Sequence, residues 1–224
     1  MFRYLPHALF LAAAWGGYFA LHSLLASLRI KRWVAARWPA AMAGYRLAYN
    51  TLALLLLALP LGLLWAEPGP LLWRWEGAWK WLMEGLAAAA VAGFLVSLRY
   101  YDGAEFLGLR QLRERSRRVE DLERFHLSPF HRHVRHPWYF FGLVIVWTRD
   151  MTAGWFVTCA AISLYFWIGS RLEERKLVVY HGDVYRRYRK KVPALIPLPW
   201  RRLSRSECEA LLRAERDSAG DCTL

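Results

Sequence analysis

"YRLAYNTLALLLLALPLGLLWA", Tyr45 to Ala66, contains a single charged residue, Arg46, at its edge. A helix rises about 1.5 Å per residue, so roughly 20 apolar residues cross a hydrocarbon core about 30 Å thick. This block is long enough to do so. Two others match it. Leu5 to Leu28 has no Asp, Glu, Lys or Arg, and Ala78 to Leu98 has only Lys80 and Glu84, both near its start. Farther on, Trp138 to Thr148 and Met151 to Gly169 are apolar pieces separated by the polar pair Arg149 and Asp150. A tight helical hairpin is the economical reading, because backbone in lipid must satisfy its own hydrogen bonds. The chain therefore reads as an all-α integral membrane protein with about five transmembrane helices. The first block is not expected to be a cleaved signal peptide: it is too long and is followed by "RIKRW" (Arg29–Trp33) in place of a small-residue cleavage site.

Composition agrees, with 56% apolar residues and 13 tryptophans in 224. The net charge of +13 has a direct explanation in the loops. Of the 31 lysines and arginines, 27 fall between the first two spans, between the third and fourth, or after the fifth; only Arg3, Arg74, Lys80 and Arg149 fall on the other side. The positive-inside rule then places the N-terminus outside and the C-terminus in the cytoplasm, in what is expected to be a bacterial inner membrane. Membrane lipids suffice as partners for the charge. No nucleic-acid partner is expected, since the basic residues alternate with spans and no RNA- or DNA-binding motif appears. Cys159, Cys208 and Cys222 form no zinc spacing and imply no disulfide, and Cys222 stands one position short of a prenylation box.

Three regions are expected: a three-span bundle over residues 1–98, a chemistry-bearing half over 99–199, and a polar cytoplasmic tail over 200–224. In "EFLGLRQLRERSRRVEDLERF" (Glu105–Phe125), Leu109, Leu112, Val119 and Leu122 recur at roughly helical spacing among charges, which predicts a cytoplasmic interfacial helix. The tail predicts a short helix capped by Ser204 or Ser206.

Five of the seven histidines, His126, His131, His133, His136 and His181, fall on the cytoplasmic side. His22 and Asn50 lie at similar depth in the first two spans. Polar groups there suit either a wet pocket opening to the cytoplasm or a hydrogen bond between helices. "VRHPWYFFG" (Val134–Gly142) suits a span entry with proline in the first turn and belt aromatics at the headgroups. A second cluster, "EERKLVVYHGDVYRRYRKKVPALIP" (Glu173–Pro197), follows the fifth span and places two acids at a membrane exit.

Together, RHP-x-Y-x2-G, the hairpin, and EE-x2-L-x4-G-x2-Y-x2-Y-x3-VP-x3-P resemble the integral-membrane methyltransferases typified by isoprenylcysteine carboxyl methyltransferase, over about Phe125 to Pro199. "LGLRQL" (Leu107–Leu112), "HSLLAS" (His22–Ser27), "MTAG" (Met151–Gly154) and "EERKLVVYHG" also look like bacterial methanethiol S-methyltransferases and NnrU-like proteins. The resemblance implies S-adenosylmethionine as cofactor, with Arg135, His136, Pro137, Tyr139, Gly142, Glu173, Glu174, Tyr185, Tyr188 and Pro193 around it. In that scheme the tyrosines supply aromatic faces and hydroxyls, the glutamates meet ribose or ammonium, and Arg135 and His136 meet the carboxylate. It implies a small thiol as methyl acceptor, handled by His22, Gln111, His133 or Arg135. Three alternatives stand beside it: a lipid or isoprenoid acceptor, a non-enzymatic NnrU-like role, and metal binding. No metal ligand set is assigned. Where relatives usually carry a glycine and tyrosines ahead of RHP, this chain has Pro129, His131 and His133, and a loop gathering His131, His133 and His136 would form a metal site.

Overall fold

The computed structural model describes residues 2–116, 119 and 127–220. The chain is an all-α membrane protein. Four helices are long and apolar enough to span: α1 (Leu5–Ala26), α3 (Met42–Ala66, entered through a 3-10 turn at Pro39–Ala41), α4 (Gly77–Ser97) and α8 (Ala153–Lys191). Short helices α2 (Leu28–Arg37), α5 (Gly103–Leu107), α6 (Leu109–Arg113) and α7 (Pro137–Trp147), and the terminal α9 (Arg205–Gly220), fill the connections. The outer faces are apolar, as lipid requires: Leu54, Leu55 and Trp65 on α3 are largely exposed. The chain divides into two compact units that both draw on α4 and α8.

In the first unit α1 packs along α3 around Leu11, Trp15 and Leu64. Trp15 donates its indole N–H to Thr158 Oγ1 on the first turns of α8 at 3.0 Å, which answers a polar group that would otherwise be buried alone. Two short strands, β1 (Leu71–Trp73) and β2 (Met151–Thr152), pair antiparallel. Beside them Asp150 accepts from Trp75 N at 3.0 Å and lies 3.4 Å from Arg74, and the Trp75 indole donates to Arg149 O. The polar pair that split the hairpin in the sequence is thus its tethered tip.

Over residues 105–116, the described start of the expected interfacial helix, the chain is not one continuous helix. Gly108 adopts φ +89 between α5 and α6, and a Cβ there would lie 2.7 Å from Leu47 N on α3. Only glycine permits that conformation and that approach. Asp102 caps α5 by accepting from Ala104 N and Glu105 N, and Asn50 on α3 donates to Phe106 O and Leu107 O at its other end. Val119 apart, Arg117 to His126 lie outside the described residues.

In the second unit α7 is 11 residues long, about 16 Å, half the thickness of a hydrocarbon core. Its start is fixed to the end of α4: Trp138 donates its indole N–H to Ser97 Oγ at 2.7 Å, and Phe141 sits where a Cβ on Gly93 would come within 2.7 Å of its ring. Its end is fixed to α8 by Trp147 Nε1 donating to Ser163 Oγ at 3.0 Å.

α8 is interrupted at Gly182 (φ 50, ψ −127). Beyond the break, Val184, Tyr185, Tyr188 and Val192 face inward and form a core with Leu203 and Leu211. The tail is therefore a structural element. Ser204 and Glu207 form a reciprocal cap on α9, Glu207 pairs with Lys191, and His181 Nδ1 lies 2.6 Å from Glu215 Oε1. The Lys191 ammonium and Ser204 hold the Glu207 carboxyl at about 2.

Candidate functional site

The RHP segment is held from both sides. Ser128 caps a 3-10 turn at Pro129–Arg132 with help from His131, whose Nδ1 lies 2.7 Å from Ser128 Oγ and 3.1 Å from Ser128 N. Arg135 N then donates to Pro193 O at 2.9 Å and His136 N to Ala194 O at 3.1 Å, so the VP stretch closes on RHP through backbone. Pro137 opens α7 where its missing N–H is no loss.

Side chains complete the clasp. Arg135 Nε and Nη2 approach Glu174 Oε1 at 2.8 and 2.7 Å, while Nη1 donates to Arg189 O and Val192 O. Arg135 and Glu174 expose only 10% and 4% of their side chains, so each is the charge partner the other requires. His136 is buried between acids, with Nε2 3.1 Å from Glu174 Oε1 and Nδ1 3.4 Å from Glu173 Oε2. A guanidinium and an imidazole thus face two carboxylates.

Glu173 differs from its neighbour: 42% of its side chain is exposed, and it accepts from Tyr139 OH at 3.4 Å. Tyr139 lies parallel to His136 (5.3 Å between centroids, 12°) and to Phe166 (4.4 Å, 4°). Gly142 makes room for this stack, since a Cβ there would meet the Phe166 ring at 3.1 Å.

Burial acts to lower the His136 pKa, but the hydrogen bonds and charges of Glu173 and Glu174 outweigh it and raise it above 6.5. A histidine whose pKa is raised on folding contributes stability that is fully present below its unfolded value, near 6.5, and lost as pH rises through the folded value. The second unit is accordingly expected to be more stable at pH 6 than at pH 9. Thermal unfolding in detergent across that range checks this, and His136→Gln should flatten the slope.

The other site residues expected from sequence separate into two groups. Tyr185 and Tyr188 lie in the α8–α9 core, each 2% exposed, and Tyr188 OH donates to His131 O at 2.8 Å. His133 is largely exposed, and its partial desolvation together with Arg132 and Arg202 lowers its pKa. His22 and Gln111 belong to the first unit. There His22 Nε2 lies 2.7 Å from Tyr49 OH, and Gln111 donates to Glu105 O at 3.2 Å while its Oε1 is buried with no hydrogen-bond partner among the described residues. Among the described residues, no three His, Cys, Asp or Glu side chains gather at metal-ligand spacing.

Two participants were not anticipated from sequence. Phe166 reads as one more apolar residue of a span, yet its spacing to Ser170, Glu173 and Glu174 is that of one helix face. Tyr49, the partner of His22, was hidden beside Asn50.

Similarity to known proteins runs through both units. A methanethiol S-methyltransferase of Pseudomonas sp. is 33% identical over 187 residues, 80% of this chain and 68% of that protein. The chain belongs to the methanethiol S-methyltransferase family. Methanethiol S-methyltransferase 1 of Bradyrhizobium diazoefficiens is 41% identical over 80 residues, and the protein-S-isoprenylcysteine O-methyltransferase of Schizosaccharomyces pombe is 41% identical over 70. These place the family within the isoprenylcysteine carboxyl methyltransferase-like superfamily. Several of the matches are partial, spanning 27% to 40% of the length of the family members concerned. No family model and no solved structure matches the chain.

Proposed function

We propose that this chain is an S-adenosylmethionine-dependent methyltransferase acting on a small thiol such as methanethiol, with its N-terminus outside and its C-terminus in the cytoplasm. The observation that carries the reading is the half-exposed Glu173 carboxylate, set at the edge of the His136–Tyr139–Phe166 stack and backed by the buried Arg135–Glu174 pair.

The donor set fits that cofactor. Glu173 offers an acceptor to an ammonium or to ribose hydroxyls, and Tyr139 offers a hydroxyl and an aromatic edge, while Arg135, committed to Glu174 and to the Arg189 and Val192 carbonyls, holds the segment in place from behind and is not free for the carboxylate that the resemblance assigned to it. When bound, S-adenosylmethionine supplies an electrophilic methyl group. Glu174, whose Oε1 takes both Arg135 and His136, acts as a positioning residue. Tyr185, Tyr188 and Pro193 keep the clasp closed from behind, and Gly142 keeps the stack open for Phe166.

The chain's remaining task is to deliver an ionised sulfur and exclude water, because thiolates and not thiols are the nucleophiles. His133 is suited to taking the thiol proton: partial burial, with Arg132 and Arg202, lowers its pKa and so disfavours the charged imidazole, and the same arginines favour the thiolate that results. His22 and Gln111 are the candidates for acceptor handling in the first unit, Gln111 through an amide oxygen with no hydrogen-bond partner among the described residues. A second reading, an isoprenoid or lipid acceptor, is favoured by the likeness to the Schizosaccharomyces pombe protein.

Purified protein incubated with methyl-labelled cofactor and either methanethiol or a farnesylated cysteine separates these readings. Label appearing in dimethyl sulfide supports the first, and label on the farnesylated cysteine alone supports the second. Cofactor binding without transfer to either would overturn both.

A further inference from the structure

Beyond the break at Gly182, the outward face of α8 carries Arg186, Arg187, Arg189 and Lys190, which with Asp183 line a groove of about 520 Å³. Asp183 pairs with Arg186 at 2.7 Å. Among the described residues no carboxylate engages Arg187, Arg189 or Lys190, so the groove keeps most of its positive charge. Like charges gathered on one face repel, and an anion held among them relieves that repulsion.

The surroundings indicate which anion. Arg201 donates to Lys190 O at 2.7 Å, which puts the segment after Pro199 beside the groove. Trp200 in that stretch and Ile196 just ahead of Pro199 are 77% and 65% exposed. An exposed tryptophan next to cations at the end of a membrane helix matches the headgroup level of a bilayer, where aromatic rings and basic side chains are both favoured. A soluble anion would explain the cations but not the apolar pair.

We propose that this groove is a binding site for the phosphate headgroup of an anionic membrane lipid, with Trp200 and Ile196 seated against the acyl boundary. The inference uses the proposed cytoplasmic placement of the end of α8 but not the methyl-transfer reading. Occupancy is compatible with the clasp described above, because the Arg189 and Val192 carbonyls turn inward to Arg135 while the Arg189 and Lys190 side chains are exposed.

The test titrates full-length, detergent-purified protein, without S-adenosylmethionine, with short-chain phosphatidylglycerol, short-chain phosphatidylcholine and inorganic phosphate. Saturable binding of phosphatidylglycerol is expected, with little for phosphatidylcholine. Each basic side chain near a charged membrane surface contributes roughly fivefold. A variant combining Arg186→Gln, Arg187→Gln and Lys190→Gln should therefore bind at least about tenfold more weakly at an unchanged unfolding temperature, and Trp200→Ala should weaken the lipid but not phosphate. Equal binding of the two lipids, or a triple variant that binds phosphatidylglycerol as the wild type does, would overturn the proposal. So would complete displacement of the lipid by millimolar phosphate, which would mark a site for soluble anions.

Discussion

Glu174→Gln is expected to destabilise the detergent-solubilised protein by about 3 to 5 kcal/mol, the range seen when one member of a buried ion pair is removed. Glutamine keeps an oxygen near Arg135 but removes the charge that offsets a guanidinium only 10% exposed, and it removes one of the two acids facing His136. The variant should unfold at a markedly lower temperature or denaturant concentration, and the double exchange Arg135→Met with Glu174→Leu should recover part of the loss, because no charge is then left unpaired. A single variant as stable as wild type would mean the pair does not hold the RHP and EE segments together. Loss of cofactor binding in Glu174→Gln would therefore not identify a ligand contact, whereas the half-exposed Glu173 can be changed while the buried Arg135–Glu174 pair stays intact.

Gly108→Ala should be nearly as disruptive, by about 2 to 4 kcal/mol, combining a strained left-handed backbone with overpacking. The obstacle to the new methyl group is Leu47 N at 2.7 Å, backbone that cannot rotate aside. Gly103→Ala provides the control, since nothing lies within 4 Å of its Cβ and its φ is not positive. Comparing the two by unfolding in detergent checks the claim that α5 and α6 are fastened to α3 at this point, and equal stabilities would contradict it.

The spans were legible because a membrane writes them plainly: 20 or so apolar residues have few other uses. The proposed spans at 5–28, 45–66 and 78–98 correspond to α1, α3 and α4 with ends displaced by only a few residues. Arg149 and Asp150 marked a hairpin tip that the structure ties to Arg74 and Trp75. The break at Gly108 was not legible, since a glycine inside an amphipathic pattern looks tolerable until φ and the neighbouring backbone are known. The tail was underestimated because a few apolar residues among charges look like a solvated helix, although Leu211 and Cys208 are buried. In the candidate site, sequence grouped the RHP and EE residues but gave Glu173 and Glu174 one role. Their difference depends on which side of a helix turn faces Arg135, and no spacing rule states that.

The central claim is that Glu173 stands ready to meet S-adenosylmethionine. Isothermal titration of the detergent-purified protein with S-adenosylmethionine, wild type against Glu173→Gln, tests it most directly. The expected result is saturable binding by the wild type that weakens roughly 10- to 100-fold in the variant, the scale of a lost hydrogen bond to a charged group, at an unchanged unfolding temperature. No binding by the folded wild type, or equal affinity in the two proteins, would contradict it.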